Sequence, residues 1–188
     1  SEMLAEIIEK DSSPEVKYEA LLAAKRSKAS PEGKNGVAVS ALQASLLEAD
    51  KDPIERIILR QMRIDALLLM RDSGVQSEEN VQLITQMISG WKKYRLYTED
   101  EMLAAVEALG VQTGDSASEV LSSFLRYQTD QREAGRTPES LRLVKATINA
   151  MASTGNRKNI EELTVVTYSP SWEAEVKREA KKALERFN

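Results

Sequence analysis

Every proline in this chain stands directly behind a residue that can cap a helix: Ser13-Pro14, Ser30-Pro31, Asp52-Pro53, Thr137-Pro138 and Ser169-Pro170. A Ser, Thr or Asp side chain accepts from the free amides of a first helical turn. Proline at the first helical position gives up only an amide that has no partner there. Each pair therefore predicts a helix start. Thr98 with Glu101 and Ser116 with Glu119 have capping-box spacing and add two more, and Ser77 ahead of Glu78 and Glu79 adds another. Gly74, Gly110, Gly135 and Gly155 are read as helix ends, where a left-handed residue closes the last turn.

Apolar spacing between these marks is helical. Trp172, Val176, Ala180, Leu184 and Phe187 recur at steps of three and four, with Lys177, Lys181 and Lys182 on the other side, one dry stripe with a wet back. Ile54 to Met70 is apolar on more sides and predicts a central helix covered on both flanks. No segment alternates as a half-buried strand would, and Gly33-Lys34-Asn35-Gly36 reads as a flexible turn, too short to cradle a nucleotide. The result is ten helices at roughly 2–10, 14–28, 35–50, 53–73, 77–94, 98–110, 115–133, 137–154, 157–168 and 170–187. Connections this short fold consecutive helices back on each other. Ten helices make five antiparallel hairpins of about 38 residues each, a solenoid period, within a single domain spanning 1–188.

The residue inventory excludes whole classes of chemistry. None of the 188 residues is histidine or cysteine. Ser-His-Asp triads, Cys-His dyads, HExxH zinc centres and disulfides are thereby removed. No phosphate loop, dinucleotide fingerprint or EF-hand loop occurs, so no cofactor and no metal site are expected. Carboxylates are plentiful, but no pair of them is singled out as an acid and a base, and Glu99, Asp100 and Glu101 suit the amide-rich first turn of a helix. With 26 basic and 30 acidic residues the net charge is -4, so no overall field draws the chain to nucleic acid or anionic lipid. Apolar runs such as Ala66 to Met70 fall far short of the roughly 18 residues that cross a bilayer, and the first residues do not read as a secretory signal. A soluble chain is expected, its compartment unspecified.

Two segments share a motif. Glu15-Val16-Lys17-Tyr18-Glu19-Ala20 and Glu175-Val176-Lys177-Arg178-Glu179-Ala180 agree at every position but one, and they lie about four periods of 40 residues apart. Asp11-Ser12-Ser13-Pro14-Glu15-Val16-Lys17 with Ala20, and Ser169-Pro170 through Val176, Lys177, Ala180 and Leu184, resemble the second helix of a HEAT-like repeat. That helix follows an acidic or proline-containing turn with a valine, a basic residue and alanines on the packing face. The match weakens in the middle, where Arg56-Ile57 reverses the order and Leu121 follows Val120 in place of a base. The resemblance implies an all-α, right-handed α-α superhelix, a short solenoid whose curved surface holds a protein or peptide partner. In some relatives a basic concave face holds nucleic acid instead. That alternative expects the bases of 14–28, 53–73 and 137–154 to converge with Lys92, Lys93 and Arg95.

The sharpest local feature is Trp91-Lys92-Lys93-Tyr94-Arg95-Leu96-Tyr97. Trp91, Lys92, Lys93, Tyr94, Arg95 and Tyr97 form the candidate partner-binding set, because aromatic rings and arginine dominate binding hot spots and rings beside cations can stack bases. The same residues also suit a plain inter-helix turn whose rings seal the core while basic stems lie over them. Arg126-Tyr127 with Arg132 and Arg136 is a second basic cluster, read as a solvated helix end. Asp65 interrupts an apolar helix and needs a cation or several donors, from Arg60, Arg63, Arg71 or a contact between repeats.

Overall fold

The computed structural model describes residues 1–46, 52–136 and 140–187. The described residues form ten α-helices and no strand: α1 (Glu2–Lys10), α2 (Pro14–Arg26), α3 (Pro31–Leu46), α4 (Pro53–Ser73), α5 (Glu78–Tyr94), α6 (Glu99–Gly110), α7 (Asp115–Glu133), α8 (Leu141–Thr154), α9 (Ile160–Tyr168) and α10 (Ala174–Glu185). A 3₁₀ turn, Arg157–Asn159, leads into α9.

Caps account for most of these boundaries. Ser13 Oγ accepts from the Val16 amide, Ser30 Oγ from Gly33, and Asp52 Oδ1 from Ile54 and Glu55, each with proline next in sequence. Thr98 and Glu101 form the full reciprocal box that opens α6. Other starts differ from the sequence reading. Ser169-Pro170 lies in a turn and α10 begins only at Ala174, so Trp172 precedes the helix. Its indole donates to Thr129 Oγ1 at 3.2 Å, and Arg132 Nε donates to the Ser171 carbonyl at 2.8 Å; together they hold this segment out of helical register. Gly114 precedes α7, placing Ser116 inside its first turn instead of at a cap. The Thr137-Pro138 pair lies outside the described residues; α8 starts at Leu141, with Ser140 Oγ accepting from Leu143.

Gly33 to Gly36 is helical, not a turn, and α3 starts at Pro31. Two glycines in a helix cost about 1 kcal/mol each, and burial of the face that follows offsets this. Val37, Ala38, Val39, Ser40, Ala41 and Leu42 are all buried in succession. α3 is thus the helix covered on all sides, a role the sequence assigned to α4. The first turn of α4 leaves Ile54 and Ile57 exposed, and its buried face begins at Leu59. Small side chains explain the exchange, since Ala38 and Ala41 let neighbouring backbones approach from several directions.

The chain divides into two compact units, Ser1–Leu83 and Ile84–Asn188. In the first, α1 packs on α2 and α3, α2 on α3 and α4, and α3 on α4. In the second, α8 lies between α6 and α10 and also meets α7, which contacts α9 and the 3₁₀ turn; α9 packs on α10. Within each unit, then, next-but-one helices pack together: α1 on α3 and α2 on α4 in the first, α6 on α8, α7 on α9 and α8 on α10 in the second. Gly110 does not adopt the left-handed cap conformation. It allows α6 to meet α8 closely, since a Cβ there would lie 3.1 Å from both Cα and Cβ of Ala150. Gly74, Gly135 and Gly155 do take φ of 64°.

A hydroxyl turn recurs that no sequence pattern announced. Ser27, Ser73 and Thr154, at the ends of α2, α4 and α8, each donate to the carbonyl three residues back and accept from the amide two residues on. The donating distances are 2.8, 2.7 and 2.8 Å and the accepting ones 3.2, 3.3 and 3.2 Å. Each hydroxyl closes a carbonyl and an amide that a helix end leaves open.

Candidate functional site

The aromatic-basic segment forms the last turn of α5 and the connection to α6, within the second unit. The Arg95 amide donates to the Trp91 carbonyl at 3.1 Å, and the backbone then turns at Arg95 with φ of 54°, a left-handed conformation. Its guanidinium lies over the Trp91 ring, 4.6 Å from the centroid. The chain then folds back over Gly90, where a Cβ would come within 3.0 Å of the Tyr97 ring and 3.2 Å of Leu96 Cδ1. A bare Cα at this point lets Tyr97 lie against the helix it has just left. Lys92 places its ammonium 5.2 Å from the Tyr127 ring centroid, and the Tyr127 hydroxyl donates to the Lys92 carbonyl at 3.4 Å. Phe124 stacks on Tyr127 at 6.3 Å.

These contacts split the candidate set. Trp91, Lys92 and Tyr97 are half-buried and build the turn, with Arg95 laid on Trp91. Lys93 and Tyr94 point to solvent, Tyr94 with 72% of its surface exposed, and Leu96 joins them at 61%. Leu96 was not in the candidate set. Its signal in the sequence was an apolar residue past the end of the helical periodicity, between Arg95 and Tyr97. Nothing in the sequence pointed to Gly90 or Tyr127 as supports, because their role depends on which side chains return to them. Half of the segment therefore seals the turn, and the other half is exposed.

In the second basic cluster Arg136 is exposed at the helix end as read, while Arg126 and Arg132 are tied to acidic partners. Arg126 donates from Nε and Nη2 to Glu162 Oε2 at 3.1 and 2.8 Å. Arg132 pairs with Glu173, binds the Ser171 carbonyl and lies over Trp172. The acidic first turn of α6 is likewise engaged: Glu99 accepts from Ser140 at 2.7 Å, Asp100 from Arg142 at 3.2 Å, and buried Glu101 from the Thr98 amide at 2.6 Å.

Asp65 finds its cation on another helix, not among the arginines of α4. Tyr18 Oη donates to it at 2.7 Å, Lys25 Nζ at 2.9 Å and Gln61 Nε2 at 3.2 Å. Burial pushes the carboxyl up, but the three hydrogen bonds and the charge of Lys25 outweigh it and leave Asp65 below the ordinary aspartate value. Burial and the same hydrogen bond push Tyr18 up to about 12. This is a structural tie between α2 and α4.

Among the described residues no group of three or more acidic side chains is placed to hold a metal ion. No described helix is long and apolar enough to cross a membrane. Comparison with protein-family models, with curated proteins and with solved structures gives no match.

Proposed function

We propose that this chain is a protein- or peptide-binding module, built on a helical repeat of the HEAT-like kind, that docks its partner on the turn from Trp91 to Tyr97. The repeat reading draws support from packing between next-but-one helices inside each unit. It also draws on polar ties whose partners lie about one hairpin apart: 45 residues for Asn35–Asn80, 37 for Ser122–Asn159, 36 for Arg126–Glu162 and 43 for Thr129–Trp172. Hairpins stacked with a period near 40 would place side chains at that separation face to face.

The observation that carries the docking site is the outward display of Tyr94 and Leu96, with Lys93 beside them, on a turn that is already fixed. Arg95 on Trp91, Lys92 on Tyr127 and Tyr97 on Gly90 remove most of the freedom that a binding loop loses on association. Binding costs about 0.5–1.5 kcal/mol for each flexible side chain it immobilises, so a pre-set apolar pair gives a partner more net gain. No catalytic step is assigned to the chain.

The test compares affinity captures by the wild type and by Tyr94→Ala/Leu96→Ser. Both substituted side chains are exposed, so circular dichroism should show an unchanged fold. A partner held by the wild type and lost by the variant is the expected result. An identical set of captured proteins would retire the turn as a docking site.

A further inference from the structure

We infer that the occupant of the α5–α6 turn is an acidic peptide segment carrying an apolar residue. Its carboxylates would face Lys92 and Lys93, and its apolar side chain would sit against Tyr94 and Leu96. This occupant presupposes that the turn is a docking site.

Charge is the first ground. Lys92, Lys93 and Arg95 fall within four positions, and Lys93 makes no ion pair among the described residues. The carboxylates that follow in sequence are turned to other tasks: Asp100 pairs with Arg142, Glu99 receives the Ser140 hydroxyl, and Glu101 is buried in the capping box. The turn thus keeps positive charge beside exposed apolar surface in a chain whose net charge is -4. A complementary partner supplies negative charge and an apolar group side by side.

Backbone conformation is the second ground. Gly74, Gly135 and Gly155 take φ of 64°, where glycine meets no Cβ penalty. At the end of α5 the same left-handed turn is made by Arg95, which bears a steric cost that glycine would avoid. In return the turn gains a guanidinium laid on Trp91, a third cation held in place.

A nucleic acid is the competing occupant, and a net charge of -4, which offers a polyanion no overall attraction, disfavours it. A phosphate backbone needs a run of unneutralised cations. Of the cations elsewhere in this unit, Arg126 is paired with Glu162, Arg142 with Asp100, Lys145 with Glu175, and Lys158 with Asp115 and Glu119, which leaves the others without a continuous run of their own in the sequence around this turn. Two adjacent lysines on one turn match a short acidic segment better than a polyanion.

The experiment is fluorescence anisotropy with the full chain and an arrayed set of labelled synthetic peptides, each glutamate-rich around a single Leu, Phe or Trp. The controls carry Gln for every Glu, and a labelled single-stranded oligodeoxynucleotide serves as the other class. The expected result is that Glu peptides bind about tenfold or more tightly than their Gln counterparts, that Lys93→Glu abolishes the difference, and that added salt weakens binding. Arg95→Gly relieves the backbone, so it folds at least as well as the wild type, and it should lose part of the same preference. Equal binding of Glu and Gln peptides, binding of none of them, or tighter binding of the oligonucleotide would each overturn the acidic-peptide occupant. The docking site itself would still stand if Tyr94→Ala/Leu96→Ser loses its captured partner, so the two failures are distinguishable.

Discussion

The two units secure the register of their helices in different ways. In the first, an exposed tie from Gln43 to Glu79 accompanies two centred on buried side chains. The Asn35 and Asn80 amides donate to each other at 3.2 and 2.9 Å in a buried pair, and buried Asp65 gathers Tyr18, Lys25 and Gln61. The second has its own buried amide, Asn159, bonded to Thr154, the Met151 carbonyl and Ser122, and it adds charged rungs at the surface. Arg142–Asp100 joins α8 to α6, Lys145–Glu175 joins α8 to α10, and Lys158 reaches Asp115 and Glu119 of α7. A buried polar pair is costly when half-made and so admits one register, whereas an exposed ion pair contributes little and yields to salt. Both units are specified by penalties for the wrong arrangement, and the second adds a larger set of small rewards for the right one.

The largest effect is expected where the second unit has no slack. Gly110→Leu would drive a side chain into Ala150 and should cost about 3 kcal/mol in chemical denaturation, with both tryptophans of the chain, Trp91 and Trp172, reporting from that unit. A loss under about 1 kcal/mol would mean that α6 and α8 can separate without penalty. Next, Asn80→Ala should cost about 2 kcal/mol by leaving the buried Asn35 amide without its reciprocal partner. Hydrogen exchange should quicken in α3 and the start of α5; unchanged protection there would remove the buried pair as the register device.

A pH series tests the other buried tie. Tyr18 is raised to about 12 from an ordinary 10, so its contribution is fully present below pH 10 and is lost as pH rises through about 12. After allowance for its partial exposure this is about 1–2 kcal/mol. The difference in thermal midpoint between wild type and Tyr18→Phe should therefore close across that window, and a constant difference would show that the hydroxyl does not sense the folded state.

Smaller still, Gly36→Ala should stabilise α3 by about 0.5–1 kcal/mol, because a Cβ there meets nothing within 4 Å. The direction is opposite to that at Gly110, and both can be read from urea midpoints. Last, Lys145→Ala should lower the urea midpoint slightly at low salt and not measurably at high salt. A loss independent of salt would mean that the lysine acts through packing instead of charge.

Features closed within a few residues were legible in the sequence. Thr98 with Glu101, Ser13-Pro14 and Asp52-Pro53 stand where their local chemistry placed them, and α4 and α7 span the expected residues. Features decided at long range were not. Gly33 to Gly36 has the composition of a turn, yet Asn35 is drawn into the pair with Asn80, 45 residues on. Ser169-Pro170 carries the same signature as Ser13-Pro14, yet Thr129 and Arg132 capture Trp172 and Ser171 first. The candidate site was visible as a pattern of rings and bases. Which half of it faces outward was not, because the helical phase ends at Arg95 and the chain's return depends on the space left by Gly90.

The hydroxyl turns after α2, α4 and α8 are each completed by atoms within six residues of chain. Such a corner is set before any distant part of the molecule has arrived, and it aims the next helix without instruction from the one beyond. At these three junctions the direction of departure is a local property of the chain, fixed by a hydroxyl and its own near neighbours.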